Sequence, residues 1–156
     1  MKLSQHALAS VPFMAGVYWA TGSLALAGIA GLASVFIDLD HIGDYMLYRR
    51  GWRGVRDFFE SCEGGRLTRL YLFLHAWEWP VLFFLLYATV GAPMWTAMIA
   101  LGMAYHLAFD AVGNRGNLKP GFYFIVKRYR NGFEGGLLYK RPTERQLEAL
   151  RRREGR

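Results

Sequence analysis

The feature that most constrains this chain is an uncharged run from Ala7 to Ile37, which is 31 residues long. About 18 consecutive apolar residues already indicate a membrane-spanning helix. A single helix of this length would extend about 46 Å, against a hydrocarbon core of about 30 Å. We therefore expect two helices separated at Thr21-Gly22-Ser23, where glycine permits a turn and a hydroxyl can cap the second helix. A cleaved signal peptide has a short apolar stretch that ends at a small-residue cleavage site before the polar mature chain. This run instead continues as far as Asp38, so a signal peptide does not explain it.

Two further apolar segments, Leu70 to Val90 and Met94 to Val112, predict a second hairpin. Their connection, Gly91-Ala92-Pro93, is short, and proline disfavours continuation of the preceding helix. The expected fold is all-α: a polytopic membrane protein with four transmembrane helices arranged as two hairpins. Residues 1–141 would form a single membrane-embedded helical domain, and residues 142–156 a basic cytoplasmic tail. The glycines expected to allow close helix packing are Gly16, Gly28, Gly31 and Gly102.

The basic residues indicate the orientation in the membrane. All 19 lie outside the two hairpin turns: Lys2 comes first, six arginines lie between Asp38 and Arg69, and the remaining 12 follow Val112. Short cytoplasmic loops retain Lys and Arg, so both termini are expected on the cytoplasmic side of a bacterial-type inner membrane. Cys62 is the only cysteine, which excludes an intramolecular disulfide and fits a reducing compartment.

Two stretches outside the apolar segments combine basic residues with aromatic ones. Ile42 to Thr68 predicts an interfacial amphipathic helix that ends near Glu63-Gly64-Gly65, and Gly121 to Phe133 has the same character. Such helices lie on anionic lipid headgroups. No recognised nucleic-acid module is present, so we expect membrane lipid as the partner and no specific nucleic acid. The tail has Thr143 and Gln146 at capping-box spacing, and no oligomeric state is indicated.

Ionisable residues inside apolar segments mark candidate functional sites, because they are destabilising in hydrocarbon. The third segment holds a histidine and a glutamate three residues apart, and the fourth holds a histidine and an aspartate four residues apart, so each pair shares a helix face. In a four-helix arrangement, these pairs, the acidic end of the second helix and the first histidine share one layer beneath the cytoplasmic interface. The candidate metal ligands are His6, Asp38, Asp40, His75, His106 and Asp110.

Each of these residues also has a purely structural interpretation. A lone membrane histidine is more often hydrogen-bonded to a neighbouring helix than bound to a metal, and Asp38 and Asp40 can simply mark the water boundary. Their shared depth and face favour a common site, which predicts one or two divalent metal ions. Imidazole and carboxylate ligands together suit zinc, which we expect, and also manganese or iron.

Several elements resemble the YdjM-like family of inner-membrane metal-dependent hydrolases; they are His6, Asp38-Leu39-Asp40-His41, His75 and His106-Leu107-Ala108-Phe109-Asp110. The resemblance covers roughly Met1 to Asn114. It implies a small helical membrane protein that binds metal through its Asp-x-Asp-His and His-x-x-x-Asp elements. The His-Arg-Gly element of the family is replaced here by Leu70 and Tyr71, so either Glu78 takes the place of the missing ligand or fewer metal ions are bound.

The expected function is that of a membrane-embedded hydrolase that cleaves a lipid phosphoester or ester at the cytoplasmic leaflet. A metal ion can lower the pKa of bound water towards ~7 and polarise a phosphoryl oxygen. Glu78 or His41 would transfer the proton, and Arg49, Arg50 and Arg53 would bind the anionic headgroup. Two other classes would use the same ligands: a metal carrier or sensor, and a non-catalytic scaffold with a structural metal site.

Overall fold

The structure, a computed structural model, describes residues 3–155. Within this range it is helical and has no β-strand, apart from two isolated antiparallel bridges. The expected all-α class is therefore confirmed. The helices are α1 (Leu3–Thr21), α2 (Leu24–Phe36), α3 (Asp40–Arg49), α4 (Val55–Glu63), α5 (Glu78–Val90), α6 (Met94–Gly113), α7 (Ile125–Arg130), α8 (Gly135–Leu138) and α9 (Glu144–Glu154), with a 3-10 turn at Ile37–Leu39.

The chain divides into two compact units. The first contains the chain up to Asp38 together with Leu74–Gly113, and therefore helices α1, α2, α5 and α6. The second contains Leu39–Phe73 and the chain from Asn114 onwards, and therefore the remaining helices. The apolar helices α1, α2, α5 and α6 therefore belong to the first unit, and most of the basic residues belong to the second.

The first unit begins with a helical hairpin, α1 and α2, which turns where the sequence predicts. Gly22 has a φ of +66°, a left-handed conformation that glycine adopts without strain. The Ser23 hydroxyl accepts a hydrogen bond from the Leu26 N–H at 3.3 Å and so caps α2. The predicted break at Thr21-Gly22-Ser23 is confirmed.

Helices α2 and α6 pack closely and run in the same direction. A Cβ atom on Gly102 would overlap the Ala30 carbonyl oxygen, so glycine is required at this contact. Four residues further along both helices, His106 contacts the Ser34 carbonyl oxygen. Because each helix is the second of its hairpin, both hairpin turns lie at one end of the first unit, and the region of Ser34 and His106 lies towards the other.

The other expected packing glycines differ in their surroundings. A Cβ atom on Gly31 would overlap the Met14 side chain, so this glycine also sits at a close contact. Gly16 and Gly28 have no neighbouring atom within 4 Å of the corresponding position. Close packing between helices therefore depends on Gly31 and Gly102, and the expectation for Gly16 and Gly28 is wrong.

The third apolar segment is where the fold departs most from the sequence prediction. The helix that was expected to begin near Leu70 begins at Glu78, and His75 lies in the non-helical stretch before it. Pro80 gives one reason, because in a longer helix its ring would clash with the carbonyl group of residue 76, whereas the first turn tolerates proline. The expected helix-face pairing of His75 with Glu78 is therefore wrong.

Backbone hydrogen bonds within the second unit give the other reason for this late start. Leu70 donates its N–H to the Phe133 carbonyl oxygen at 2.9 Å. The Asp44 carboxylate accepts the N–H groups of Tyr71 and Leu72, at 2.8 and 3.3 Å. Because these N–H groups donate to partners other than a preceding helical turn, the chain is not helical here.

In the second unit, the stretch predicted as one amphipathic helix forms two, α3 and α4. Arg50 has a φ of +56°, and Gly51 and Gly54 have φ values of +132° and +110°, so the chain turns between the helices. The predicted end of the second of them at Glu63 is confirmed. Within the stretch Gly121 to Phe133, only α7 is helical.

The last helix, α9, begins with the predicted capping box. The Thr143 hydroxyl accepts from the Gln146 N–H, and the Gln146 side chain accepts from the Thr143 N–H. Gln146 is also buried and donates to the Leu67 carbonyl oxygen at 2.9 Å. The beginning of this basic segment is therefore packed against the rest of the second unit.

Two helical stretches among the described residues are long and apolar enough to cross a membrane. They are Leu24–Arg49, with 26 residues, and Met94–Gly113, with 20 residues. Helix α5 is apolar but has only 13 residues, or about 20 Å, which is less than the hydrocarbon thickness. Two candidate spans are thus present among the described residues where four were expected: α5 is too short because it starts late, and α1 is not one of the two.

The contact between Gly102 and Ala30 predicts a difference between two otherwise identical substitutions. We expect Gly102→Ala to lower the free energy of unfolding by about 1–3 kcal/mol, because the new methyl group forces α6 away from α2. Gly28→Ala, in a helix with open space around it, is the control and should be neutral or slightly stabilising. Thermal unfolding in detergent measures both, and equal stability of the two variants would contradict the described packing.

Candidate metal centre

Five ionisable side chains of the first unit come together, and each is contributed by a different part of the chain or a different turn. His6 lies on the buried face of α1, together with Ser10 and Val17. Asp38 follows the end of α2, and His75 lies in the non-helical stretch before α5. His106 and Asp110 lie one turn apart on α6. The three histidines and Asp110 are buried, with exposed fractions of 5% or less.

His106 is fixed in one orientation by the neighbouring helix. Its Nδ1 atom lies 2.7 Å from the Ser34 carbonyl oxygen, which can only accept, so Nδ1 carries the proton. In the neutral ring, the Nε2 atom therefore carries the accepting lone pair. Metal-binding histidines are commonly oriented by a hydrogen bond of this kind, from the ring N–H to a backbone carbonyl oxygen.

The lone pair of His106 points to a small set of further ligand atoms. His106 Nε2 lies 3.3 Å from His75 Nε2, and Asp38 Oδ1 lies 3.4 and 3.5 Å from these two nitrogens. Asp110 Oδ2 lies 3.9 and 3.7 Å from the same two nitrogens. Each carboxylate thus forms a triangle with the two imidazoles. Ligand atoms around tetrahedral zinc, at bonds of 2.0–2.2 Å, are separated by about 3.3–3.6 Å.

His6 holds the outer oxygen of one of these carboxylates. Its Nε2 atom is 3.0 Å from Asp110 Oδ1, and its ring stacks on that of His106 with the centroids 4.0 Å apart. His6, His106 and Asp110 also offer ligand atoms within 4.8 Å of one another, so His6 is itself able to ligate. Tyr105 supports this arrangement by donating its hydroxyl to the Ala9 carbonyl oxygen at 2.8 Å.

The chemistry of this cluster favours a cation. Two carboxylates and the lone pair of a neutral imidazole face a common space that is largely removed from water. Burying such acceptors is unfavourable unless protons or a positive ion satisfy them. Two imidazoles and one carboxylate are a ligand set that zinc and iron both accept. The cluster is therefore able to hold a metal ion, and nothing in its geometry selects the element.

The remaining predicted site residues have other positions. Glu78 is the first residue of α5 and belongs to the first unit, three residues after His75. Asp40 and His41 open α3 and belong to the second unit. Arg50 and Arg53 also belong to the second unit and are exposed.

Arg49, which was expected to bind a headgroup, is engaged within the second unit. Its guanidinium donates two hydrogen bonds to the Asp57 carboxylate, one from Nε at 2.8 Å and one from Nη2. Tyr45 donates its hydroxyl to the same carboxylate at 2.7 Å. This bidentate pair ties α3 to α4.

Sequence reasoning missed two polar groups, one in each unit, that fix the local structure. One is the Ser34 carbonyl oxygen, which no side-chain pattern reveals. The other is Asp44, a buried carboxylate that holds the backbone at Tyr71 and Leu72 in the second unit. The sequence holds one indication of this role. Asp44 is acidic, whereas most other charged residues of the predicted amphipathic helix are basic.

Comparison of the chain with protein-family models, with curated proteins and with solved structures finds no match.

The Arg49 and Tyr45 contacts predict how stability depends on acid. The hydrogen bonds from these two residues, those of Arg49 above all, hold the pKa of Asp57 below its ordinary value. The ionised carboxylate therefore stabilises the fold above the unfolded-state pKa of about 3.9, and this contribution is lost as the pH falls towards the lower folded-state pKa. Asp57→Asn should lower the melting temperature at pH 7 and reduce its fall between pH 5 and pH 3.

An exposed carboxylate serves as the control for this experiment. Glu144 lies at the start of α9 with its side chain 70% exposed, so Glu144→Gln should keep the acid dependence of the unaltered protein. Thermal unfolding followed by circular dichroism measures all three proteins. An acid dependence of Asp57→Asn equal to that of the unaltered protein would show that the Asp57 contacts are absent in solution.

Proposed function

We propose that this protein is a membrane-embedded, metal-dependent hydrolase acting on a lipid phosphoester or ester. The observation that supports the proposal is the triangle formed by His75, His106 and Asp38, in which the Ser34 carbonyl oxygen orients His106 so that its Nε2 atom faces the other two residues. The same function is implied by the resemblance of the Asp38-Leu39-Asp40-His41 and His106 to Asp110 elements to the YdjM-like family.

The proposed membrane arrangement has the four helices of the first unit in two hairpins. Large apolar side chains are exposed on all of these helices; they include Val11, Trp19, Leu24, Leu32, Phe84, Val90 and Leu101. Exposed apolar surface on this scale requires an apolar environment or a partner. The hairpin turns contain no charged residue, and the basic residues lie elsewhere in the chain, which supports a cytoplasmic position for both termini.

The first-unit residues have distinct roles in the proposed reaction. A bound divalent ion supplies Lewis-acid polarisation of the scissile group and lowers the pKa of water towards about 7. His75 and His106 would hold that ion, together with Asp38 or Asp110. His6, bonded to Asp110, orients this carboxylate. Glu78, three residues after His75 at the start of α5, is the proposed proton carrier.

The cluster also excludes bulk water from the reacting groups. His75 and His106 are each 1% exposed. Low exposure strengthens every electrostatic interaction there. In the proposed membrane arrangement, a buried site of this kind suits an amphiphile better than a freely soluble molecule.

Metal content is the first test of this proposal. We expect the detergent-purified protein to contain a transition metal, with zinc as the leading candidate, and both His106→Ala and Asp38→Asn to reduce its affinity by more than 100-fold. His6→Ala removes an outer hydrogen bond and should reduce it by only about 10- to 100-fold. Elemental analysis after dialysis against graded chelator concentrations gives these numbers.

Asp57→Asn is the matched control, because it makes the same chemical change outside the cluster and should leave the metal content unaltered. Absence of metal from the unaltered protein, after exposure to zinc, manganese and iron, would contradict the proposal. Equal losses in the Asp38 and Asp57 variants would show that the effect is one of folding and not of ligation.

Turnover is the second test. We expect metal-dependent cleavage among phospholipids and polyprenyl phosphates presented in mixed micelles, and its loss in Glu78→Gln with the metal retained, because the proton carrier is removed. Product analysis by mass spectrometry detects either phosphoester or ester cleavage. A metal-loaded protein that cleaves none of these lipids would instead be a carrier, a sensor or a scaffold with a structural ion.

A further inference from the structure

The segment Phe124 to Arg130 of the second unit differs from an ordinary surface helix, because it buries one arginine and exposes large apolar side chains. Arg128 is fully buried, with its guanidinium 5.5 Å from the ring centroid of Phe122. Phe124 and Tyr129 point outwards and are 47% and 71% exposed. A helix in water normally turns its charged residue out and its apolar ones in.

The outward surface also carries positive charge. Lys127 and Arg130, three residues apart on α7, are both exposed and lie beside Val126 and Tyr129, which are also three residues apart. Apolar and basic side chains therefore alternate on the same exposed side of this short helix. This combination is typical of helices that lie in the headgroup region of a membrane.

The charge of the whole second unit fits the same environment. It contains 18 of the 19 basic residues and 9 of the 12 acidic ones, which gives a net charge of 18 − 9 = +9. The first unit, with Lys2 against Asp38, Glu78 and Asp110, has a net charge of 1 − 3 = −2. Positive charge is thus concentrated in the unit that exposes Phe124, Val126 and Tyr129.

We infer that Phe124 to Arg130 is a docking surface for an anionic lipid bilayer, with Phe124, Val126 and Tyr129 inserted between headgroups and Lys127 and Arg130 paired with lipid phosphates. Arg128 points inwards, with its guanidinium near the Phe122 ring, and Phe124, Val126 and Tyr129 are left on the outward side. The docking surface lies in the second unit alone and does not depend on the metal cluster or on the proposed hydrolysis.

The test uses the full-length protein in lipid nanodiscs, with an environment-sensitive fluorophore on Tyr129→Cys. Burial raises the pKa of the native Cys62 thiol to about 12, so at neutral pH the introduced cysteine reacts preferentially. In discs of phosphatidylcholine and phosphatidylglycerol we expect a blue-shifted emission that lipid-borne bromine quenches. In pure phosphatidylcholine, or at high salt, the quenching should fall, because electrostatic attraction is lost or screened.

Substitution of the basic pair tests the charge contribution directly. Each neutralisation, Lys127→Gln or Arg130→Gln, should lower the ratio of docked to undocked label by about fivefold, the factor that corresponds to roughly 1 kcal/mol per basic residue near an anionic surface. Labelled Glu144→Cys, on the exposed start of α9, is the control and should report water in both kinds of disc. A label at Phe124→Cys repeats the measurement should the Tyr129 variant fail to fold.

Three results would overturn the inference. The first is a label at Tyr129 and at Phe124 that reports water in anionic discs. The second is equal quenching in anionic and zwitterionic discs, since the basic residues then contribute nothing. The third is shielding of the label that depends on protein concentration in detergent, which would identify a second copy of the chain as the occupant.

Discussion

The arrangement of the first unit depends on the hydrogen bond between His106 Nδ1 and the Ser34 carbonyl oxygen. This one contact joins α6 to α2, fixes the protonated nitrogen of the ring and leaves the other nitrogen as a lone pair. The His106 Nε2 atom thereby faces three further side chains, since ligand atoms of His75, Asp38 and Asp110 all lie within 4 Å of it. Four acceptor-rich groups in a buried space need protons or a cation, and this requirement is the basis of the proposed chemistry.

Close helix packing makes that hydrogen bond possible. Gly102 allows the backbone of α6 to approach Ala30, and one turn later the same approach brings His106 to Ser34. Since α2 and α6 run in parallel, the Asp38 that follows α2 reaches the Asp110 end of α6. Gly102 and His106 are four residues apart on α6, so the close contact with Ala30 and the orientation of His106 depend on the same approach of the two helices.

Much of this could be predicted from the sequence, because the signals are local. The uncharged run, the turn at Gly22, the cap at Ser23 and the capping box at Thr143 depend on residues within a few positions of one another. The convergence of His6, Asp38, His75, His106 and Asp110 followed from the topology. The non-helical stretch before α5, the division between α3 and α4, and the pairing of Arg49 with Asp57 depend on partners, such as Phe133 and Asp44, that periodicity does not reveal.

The most direct measurement of the central claim is X-ray absorption spectroscopy at the edge of the bound metal, on the full-length protein and on His106→Ala. Two imidazole ligands from His75 and His106 predict nitrogen neighbours at about 2.0–2.1 Å with the outer-shell scattering of two rings, reduced to that of one in the variant. A spectrum with no imidazole scattering, or one that is identical in the two proteins, would contradict the account.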